Sequence, residues 1–288
     1  MEHILIGAPV AAAIKARTKE QADALAVRGI FPTLAVLEVG ERADNAAYLR
    51  GIQKNAGSCG IEVRHVTLPE DASQNEAEAV LQSLNADVSI HGILLLRPLP
   101  KQIDEAALCG MIAPEKDADC ATDLSLAGVF AGKKLGFAPC TAQAVVEILK
   151  LYGAELAGAR CAVVGRSLVV GRPLAMLLLN ENATVTLCHS KTKDLPAATR
   201  GADIVVAALG KAKALGGEHF GENQILIDVG IHRTEEGTLC GDVDFAAAEP
   251  KAAAITPVPG GVGAVTTAVL LSHVAQAAGK TSEERKHT

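Results

Sequence analysis

Apolar and polar positions along the chain change period repeatedly, and each change marks an element. A short apolar stretch, His3 to Ile6, reads as a strand. Ala8 to Arg28 follows as a helix with Val10, Ile14 and Ala22 on one side. "FPTLAVLEVG" is continuous in apolar residues and stopped by Gly40, the pattern of a strand buried on both faces. The next helix contains "AAYLRGIQKNAG" and runs to Cys59-Gly60. On it Tyr48 and Ile52 share a face, while Lys54 points about 120° away from that face at roughly 100° per residue. "IEVRHVTLP" reads as a strand, Gln74 to Leu84 as a helix, and "SIHGILLLRPLP" as a strand ending in a proline-bounded turn. Lys101 to Met111 is then expected as a helix, and "IAPEKDADCATD" as a loop. Thr141 to Tyr152 is an amphipathic helix with Val145, Ile148, Leu149 and Tyr152 on one stripe. From Arg160 the rhythm shortens: strand "RCAVVG", helix "GRPLAMLLLNEN", strand "TVTLC", a helix near Asp194 to Arg200, and strand "ADIVVAAL". "NQILIDVGI" and a final helix from Val265 to Ala278 follow, and the charged tail from Lys280 to Thr288 is expected to fray. Strands alternating with helices predict an α/β chain with parallel sheets covered by helices on both faces, and a domain break near Pro139.

Length and composition narrow this picture. The 288 residues suffice for two medium domains. Hydrophobic residues make up 49% and aromatics only 2%, so the core is built from Ala, Val, Leu and Ile. A net charge of −6 excludes non-specific nucleic-acid binding, which needs a basic surface, but leaves room for a local phosphate pocket. The seven cysteines stand singly with no CxxC pair, which suits free thiols in a reducing, cytoplasmic setting. The eight histidines show no HxxxH or HExxH spacing, so no metal site is expected. No apolar stretch reads as reaching the roughly 18 residues that span a bilayer, and the start lacks a basic signal-peptide region.

"RCAVVGRSLVVGRPLAMLLL" carries the strongest local chemistry. A strand delivers Gly165, a turn follows, and Gly171 opens a helix with Pro173 in its first turn. Exposed amides at such a helix start can hold phosphate. The G-x5-G spacing also suits a tight strand–helix turn without a ligand. In a unit that binds NAD, an acid about 20 residues on would meet the ribose 2′-hydroxyl. Here "LCHSKTKD" puts His189, Ser190 and Lys191 there instead. With Arg166 and Ser167 in the turn, that chemistry favours a 2′-phosphate and hence NADP, although Lys191 also suits a solvated surface.

These stretches, with "GILLLRPLP", "PEKDADC", "APCT", "IDVGIHR", "GDVDF" and "ITPVPGGVGAVTT", resemble the methylenetetrahydrofolate dehydrogenase/cyclohydrolases over nearly the whole chain. The resemblance implies two α/β domains flanking a cleft, the second a Rossmann-like parallel sheet. Residues 1–140 plus 264–288 would form the folate-binding catalytic domain and 141–263 the NAD(P)-binding domain. It further implies a homodimer, a folate-type substrate, and oxidation of methylenetetrahydrofolate by NADP followed by hydrolysis of the methenyl product. Gly165, Arg166, Ser167, Ser190 and Lys191 would contact the nucleotide, and Ile231 would lie near the nicotinamide or its ribose. Gly260 and Gly261 would line the cleft, Asp119 would bind the pterin, and Tyr48 would stack on the folate.

The departures gather on the folate side. The family's tyrosine belongs to a Y-x-x-x-K motif whose lysine serves hydrolysis, and here that position is Ile52. The family's "VQLPLP" supplies a glutamine to that lysine, and here Leu96 replaces it. The two changes are coupled, because a glutamine stranded beside isoleucine would be a buried polar group without a partner, costing roughly 1–3 kcal/mol. Cys120 stands where glycine is usual, Ala43 and Asn45 replace proline and serine, "PCTAQA" lacks a proline, and Ala264-Val265 replaces Pro-Met. The expectation is an NADP-dependent dehydrogenase with hydrolysis lost or very weak. The alternatives are a dehydrogenase of another one-carbon carrier, a silent NADP- or folate-binding protein, or a bifunctional enzyme using Arg50, Lys54 or Arg97 as substitute.

Overall fold

A computed structural model describes residues 1–284. The side chains at 43, 44 and 281–284, and residues 285–288 of the charged tail, lie outside the described residues, so the departure at Ala43 is not described. The chain divides into two compact units. One holds Ala12–Cys140 and the chain from Thr267, and the other holds Met1–Ala11 and Thr141–Thr266.

In the first unit, helix α1 (Gly7–Ala26, shared at its start with the other unit) leads to strand β1 (Thr33–Val39), all seven residues of which are buried. Helix α2 (Ala43–Ser58), strand β2 (Glu62–Leu68), helix α3 (Gln74–Ala86) and strand β3 (Gly92–Leu95) follow. The sheet is parallel in the order β2-β1-β3, with β1 in the middle. That placement explains why β1 is buried along its whole length while β2, at the edge, alternates. Alternation along β1 sends Ala35, Leu37 and Val39 to one face, where they meet Ala77, Leu81 and Leu84 of α3. A capping box of Ser73 and Glu76 starts α3, and the Lys116 ammonium closes its far end by donating to the carbonyls of Leu84, Asn85 and Asp87.

Helix α4 (Glu105–Gly110) begins four residues later than the sequence pattern predicts, because the Asp104 side chain caps it by accepting from the Ala107 amide. The predicted loop after it ends in an unforeseen helix, α5 (Asp123–Ala131). Thr122 caps this helix at its start, and Gly132 ends it in the left-handed region at φ 63°.

The second unit runs from helix α6 (Cys140–Leu151) through strand β4 (Arg160–Val164), helix α7 (Gly171–Asn180), strand β5 (Thr184–Cys188) and helix α8 (Leu195–Arg200). Strands β6 (Ile204–Ala207), β7 (Gln224–Asp228) and the two-residue pair β8 (His232–Arg233) and β9 (Leu239–Cys240) come next. Helix α9 (Phe245–Ala248) and strand β10 (Ala252–Ile255) complete it. Its five-stranded parallel sheet has the order β10-β7-β6-β4-β5. The expected strand at His3–Ile6 is reduced to a single bridge from Ile4 to Ile255, with only the edge of β10 to lean on. The last helix, α10 (Thr266–Glu284), belongs with the first unit from Thr267. Contrary to the sequence expectation, Val262–Lys280 is long and apolar enough to cross a membrane, but 61% of its window is buried inside the protein. Val269, Leu270, Leu271 and Val274 are all inside, which accounts for its composition.

Candidate active site and nucleotide-binding turn

Parallel strands leave their C-terminal ends as the natural place for a site, most of all where the strand order reverses. In the second unit β4 lies between β5, its successor in the chain, and β6, so the turn after β4 sits at that reversal. Gly165 occupies it at φ +134°, and a Cβ there would stand 2.0 Å from the Ala208 carbonyl oxygen. Only glycine fits. The Ser167 hydroxyl accepts from the Val170 amide at 3.1 Å and so shapes the entry to α7. Arg166 and Ser167 are both exposed. The Gly165 amide donates to the Cys188 carbonyl at 2.9 Å, which brings the neighbouring turn after β5 alongside. There the Thr192 hydroxyl accepts from the His189 amide, folding a tight turn with Ser190 and Lys191 exposed at its tip. Gly165, Arg166, Ser167, Ser190 and Lys191 thus share one end of the sheet. A glycine cradle, a helix start and a cationic tip with no acid fit a nucleotide carrying a 2′-phosphate.

Ile231, Gly260 and Gly261 come together in a second feature of this unit. They line a cavity of about 300 Å³ with Asp228, Leu239 and Pro257. Ile231 is 60% exposed. Gly260 takes φ +102°, and a Cβ on Gly263 would lie 3.0 Å from the Ile231 methyl. Two buried aspartates shape this region. Asp242 accepts from the amides of Gly210 and Lys211 and bonds His232 at 2.7 Å. Asp228 accepts from the amides of Gly230, Asp242 and Val243. Burial nevertheless pushes the Asp228 carboxyl up from 3.8 to about 6, its backbone hydrogen bonds opposing the rise. The folded state therefore favours the neutral form. Its contribution to stability is complete below pH 3.8 and is lost as pH rises through about 6, a swing of up to ~3 kcal/mol. Urea unfolding of wild type against Asp228→Asn should show wild type losing ground by about that amount between pH 4 and 7. A gap that stays constant would rule the effect out.

In the first unit, Tyr48 lies on α2 and Asp119 in the turn before α5, and the negative charge of Asp119 reaches the phenol. Burial, then Asp119 and Cys140, raise the Tyr48 pKa well above the ordinary range, although the side chain is 43% exposed. The Tyr48 phenol therefore stays protonated, which leaves it a hydroxyl donor on a flat apolar ring. Burial also raises the Asp119 carboxyl, against hydrogen bonds from Cys140 and the positive charge of Arg97. The Cys140 amide donates to Asp119 at 3.3 Å. Asp117, two residues earlier, is structural: it accepts from Ala121, Thr122 and Ser125 and holds the turn into α5. Cys120 adopts φ 58°, a strained conformation for a non-glycine residue and the one that glycine would accept freely.

Ile52, one turn beyond Tyr48, is fully buried, and Leu96 is 5% exposed. Neither can donate or accept a proton. Arg50 and Lys54 are exposed on α2. Arg97, also exposed, pairs loosely with Glu105 at 3.7 Å. Sequence reasoning missed the support behind Asp119. The His273 imidazole bonds the Ala118 carbonyl at 2.8 Å and stacks on Phe137 with ring centroids 4.7 Å apart. The Cys140 thiol donates to the same carbonyl. No sequence spacing signals a histidine acting 155 residues from its partner.

Comparison with known proteins agrees with this arrangement. Residues 5–119 match the catalytic domain of the tetrahydrofolate dehydrogenase/cyclohydrolase family, and residues 139–282 match its NAD(P)-binding domain. A bifunctional protein FolD from Desulfitobacterium hafniense is 47% identical over 277 residues, covering 96% of this chain and 99% of that protein. The crystal structure of a bifunctional FolD methylenetetrahydrofolate dehydrogenase/cyclohydrolase from Campylobacter jejuni superposes with a TM-score of 0.93 at 40% identity, covering 96% of this chain and 98% of that one. A Trypanosoma brucei FolD, solved with NADP cofactor and an inhibitor, gives a TM-score of 0.89 at 37% identity, covering 97% and 98%. With the glycine cradle, the Ile231 cavity and the Tyr48–Asp119 pair in hand, these matches establish that the chain belongs to the tetrahydrofolate dehydrogenase/cyclohydrolase family.

Proposed function

We propose that the chain is an NADP-dependent methylenetetrahydrofolate dehydrogenase whose cyclohydrolase activity is absent or very weak, working as a cytoplasmic homodimer. In this reading residues 1–140 with 264–288 hold the folate, and residues 141–263 hold the nucleotide. Two observations carry it: the buried hydrocarbons at Ile52 and Leu96 in the first unit, and the intact nucleotide turn at Gly165 in the second. The NADP bound by the T. brucei relative supports the cofactor assignment.

Hydride transfer needs position more than a side-chain base, because the folate nitrogen lone pair drives hydride loss from the methylene carbon. NADP, when bound, accepts that hydride. Gly165 lets the backbone approach the phosphates, and Arg166, Ser190 and Lys191 offer polar contacts to the 2′-phosphate. Tyr48 presents its ring to the folate, and Asp119, in reach of Arg97's charge, binds the pterin. Hydrolysis is different. Water attacking the methenyl carbon must lose a proton, and general acid–base help is worth roughly 10²–10⁴-fold. Tyr48 remains protonated, Ile52 and Leu96 carry no titratable atom, and the Arg97 guanidinium cannot accept a proton.

The test mixes protein, NADP and methylenetetrahydrofolate and follows the methenyl and NADPH absorbances together. Equal accumulation is expected, with the methenyl product decaying only at its rate in buffer. Faster decay would overturn the loss of hydrolysis, and no NADPH at all would overturn the substrate assignment.

A further inference from the structure

Strand β1 reads TLAVLEV, and its sixth residue places a carboxyl group in an otherwise uncharged, fully buried run. The Glu38 side chain is 4% exposed. A buried carboxyl group is retained only when its oxygens are bonded, and both are. Oε1 accepts from the Asn45 amide nitrogen at 3.0 Å, and Oε2 lies 2.9 Å from His65 Nε2. The Thr67 hydroxyl is 3.3 Å from that same imidazole nitrogen. Parallel register produces this grouping. Val36 pairs with His65 and Glu38 with Thr67, so these side chains share the face opposite Leu37. Leu37 pairs with Leu95, and its carbonyl accepts from the Leu96 amide, which sets Leu96 beside Glu38 on that face.

The other end of the grouping is on α2. Arg42, the residue before this helix, makes no side-chain capping bond. Asn45 lies in the first turn, three residues before Tyr48 and seven before Ile52, hence on one stripe with them. Leu49, Ile52 and Ala56 of that stripe are buried. Being hydrocarbons, Ile52 and Leu96 can make no polar tie between α2 and β3. The Asn45–Glu38 bond makes one instead, from the first turn of α2 to the central strand.

We propose that Glu38 is a positioning residue for Tyr48: braced by His65, its carboxyl group holds Asn45 and the first turn of α2, and so sets where the tyrosine meets its substrate. The identity of that substrate rests on the folate reading above, but the tether does not.

The test reverses the polarity of the bond. Asn45→Asp faces one carboxyl group with another, and combining it with Glu38→Gln restores a donor–acceptor pair running the other way. The chain has two tyrosines and no tryptophan, so Tyr152→Phe leaves Tyr48 as the sole tyrosine emitter. In that background, Asn45→Asp should raise acrylamide quenching of Tyr48 at least twofold. It should raise KM for methylenetetrahydrofolate tenfold or more while moving KM for NADP less than twofold. The double variant should return each value to within about threefold of the parent. If Asn45→Asp does not fold, Asn45→Ala removes the bond without adding charge and should produce the same losses. Unchanged quenching in the single variant overturns the proposal, as does a double variant that melts like the parent yet stays impaired. A parent protein that never turns over methylenetetrahydrofolate overturns the folate reading instead, and the quenching series still decides the tether.

Discussion

Ile52→Lys combined with Leu96→Gln is expected to speed hydrolysis of the methenyl product by roughly 10²–10⁴-fold over the wild-type protein, the usual worth of a positioned acid–base group. Ile52→Lys alone should be costly first, because the isoleucine is fully buried and its replacement sets an ammonium among hydrocarbons. Leaving a buried charge without a partner costs about 3–5 kcal/mol. Lysine recovers part of that by running its stem along the apolar face and lifting its head toward solvent. Leu96→Gln then supplies an acceptor and should recover a further ~1.5–3 kcal/mol, the scale of a hydrogen bond to a charged group. A double-mutant cycle in urea reads the coupling, and decay of methenyltetrahydrofolate without NADP reads the hydrolysis. Additive stabilities would mean that positions 52 and 96 do not meet. Coupled stabilities with no gain in hydrolysis would mean that the missing base lies elsewhere.

Much of the architecture was legible because burial writes itself into period. The mostly apolar run in β1 announced a strand buried on both faces, and the 3.6-residue stripe of α6 announced a covering helix. Elements escaped where composition carries no period. Strand β10 reads AAAI, and alanine prefers helix, so only its pairing with β7 makes it a strand. Helix α5 hid behind a proline-bearing polar loop whose last residues turn out to be its cap. His3–Ile6 has the composition of a strand but only one bridge with which to be one.

The site was legible in proportion to how local its chemistry is. The Gly165 turn is made by neighbours in sequence, so its glycines and its exposed helix start are visible in one short stretch. The grouping of Ile231 with Gly260 and Gly261 depends on two loops about 30 residues apart, and only the family resemblance joined them. Glu38 escaped altogether. A single acid in an apolar strand looks like an irregularity until register brings His65 and Thr67 to its side and α2 lowers Asn45 onto it.

Gly165→Ala is expected to cost at least ~3 kcal/mol and to weaken NADP binding more than about a hundredfold, since strain at a special backbone position belongs to the largest single-residue effects. Its Cβ would stand 2.0 Å from the Ala208 oxygen and 2.7 Å from the carbonyl carbon, both backbone atoms at the end of β6. Neither strand can withdraw without breaking the β4–β6 ladder. Backbone strain adds to the clash, because φ +134° is closed to residues with a Cβ. Gly153→Ala separates the two contributions. That glycine also has positive φ, at +73°, but nothing lies within 4 Å of its added Cβ, so it should lose only about 1 kcal/mol and leave NADP affinity intact. Urea unfolding and NADP titration of both variants provide the comparison. If Gly165→Ala matched Gly153→Ala in both measurements, the turn would not be the tight cradle described here. If it folded as well as Gly153→Ala yet lost NADP, the missing Cβ would serve the ligand and not the fold. The close approach of Ala208 argues that it serves both, because the same backbone contact that closes the sheet also opens the space in which phosphate would lie.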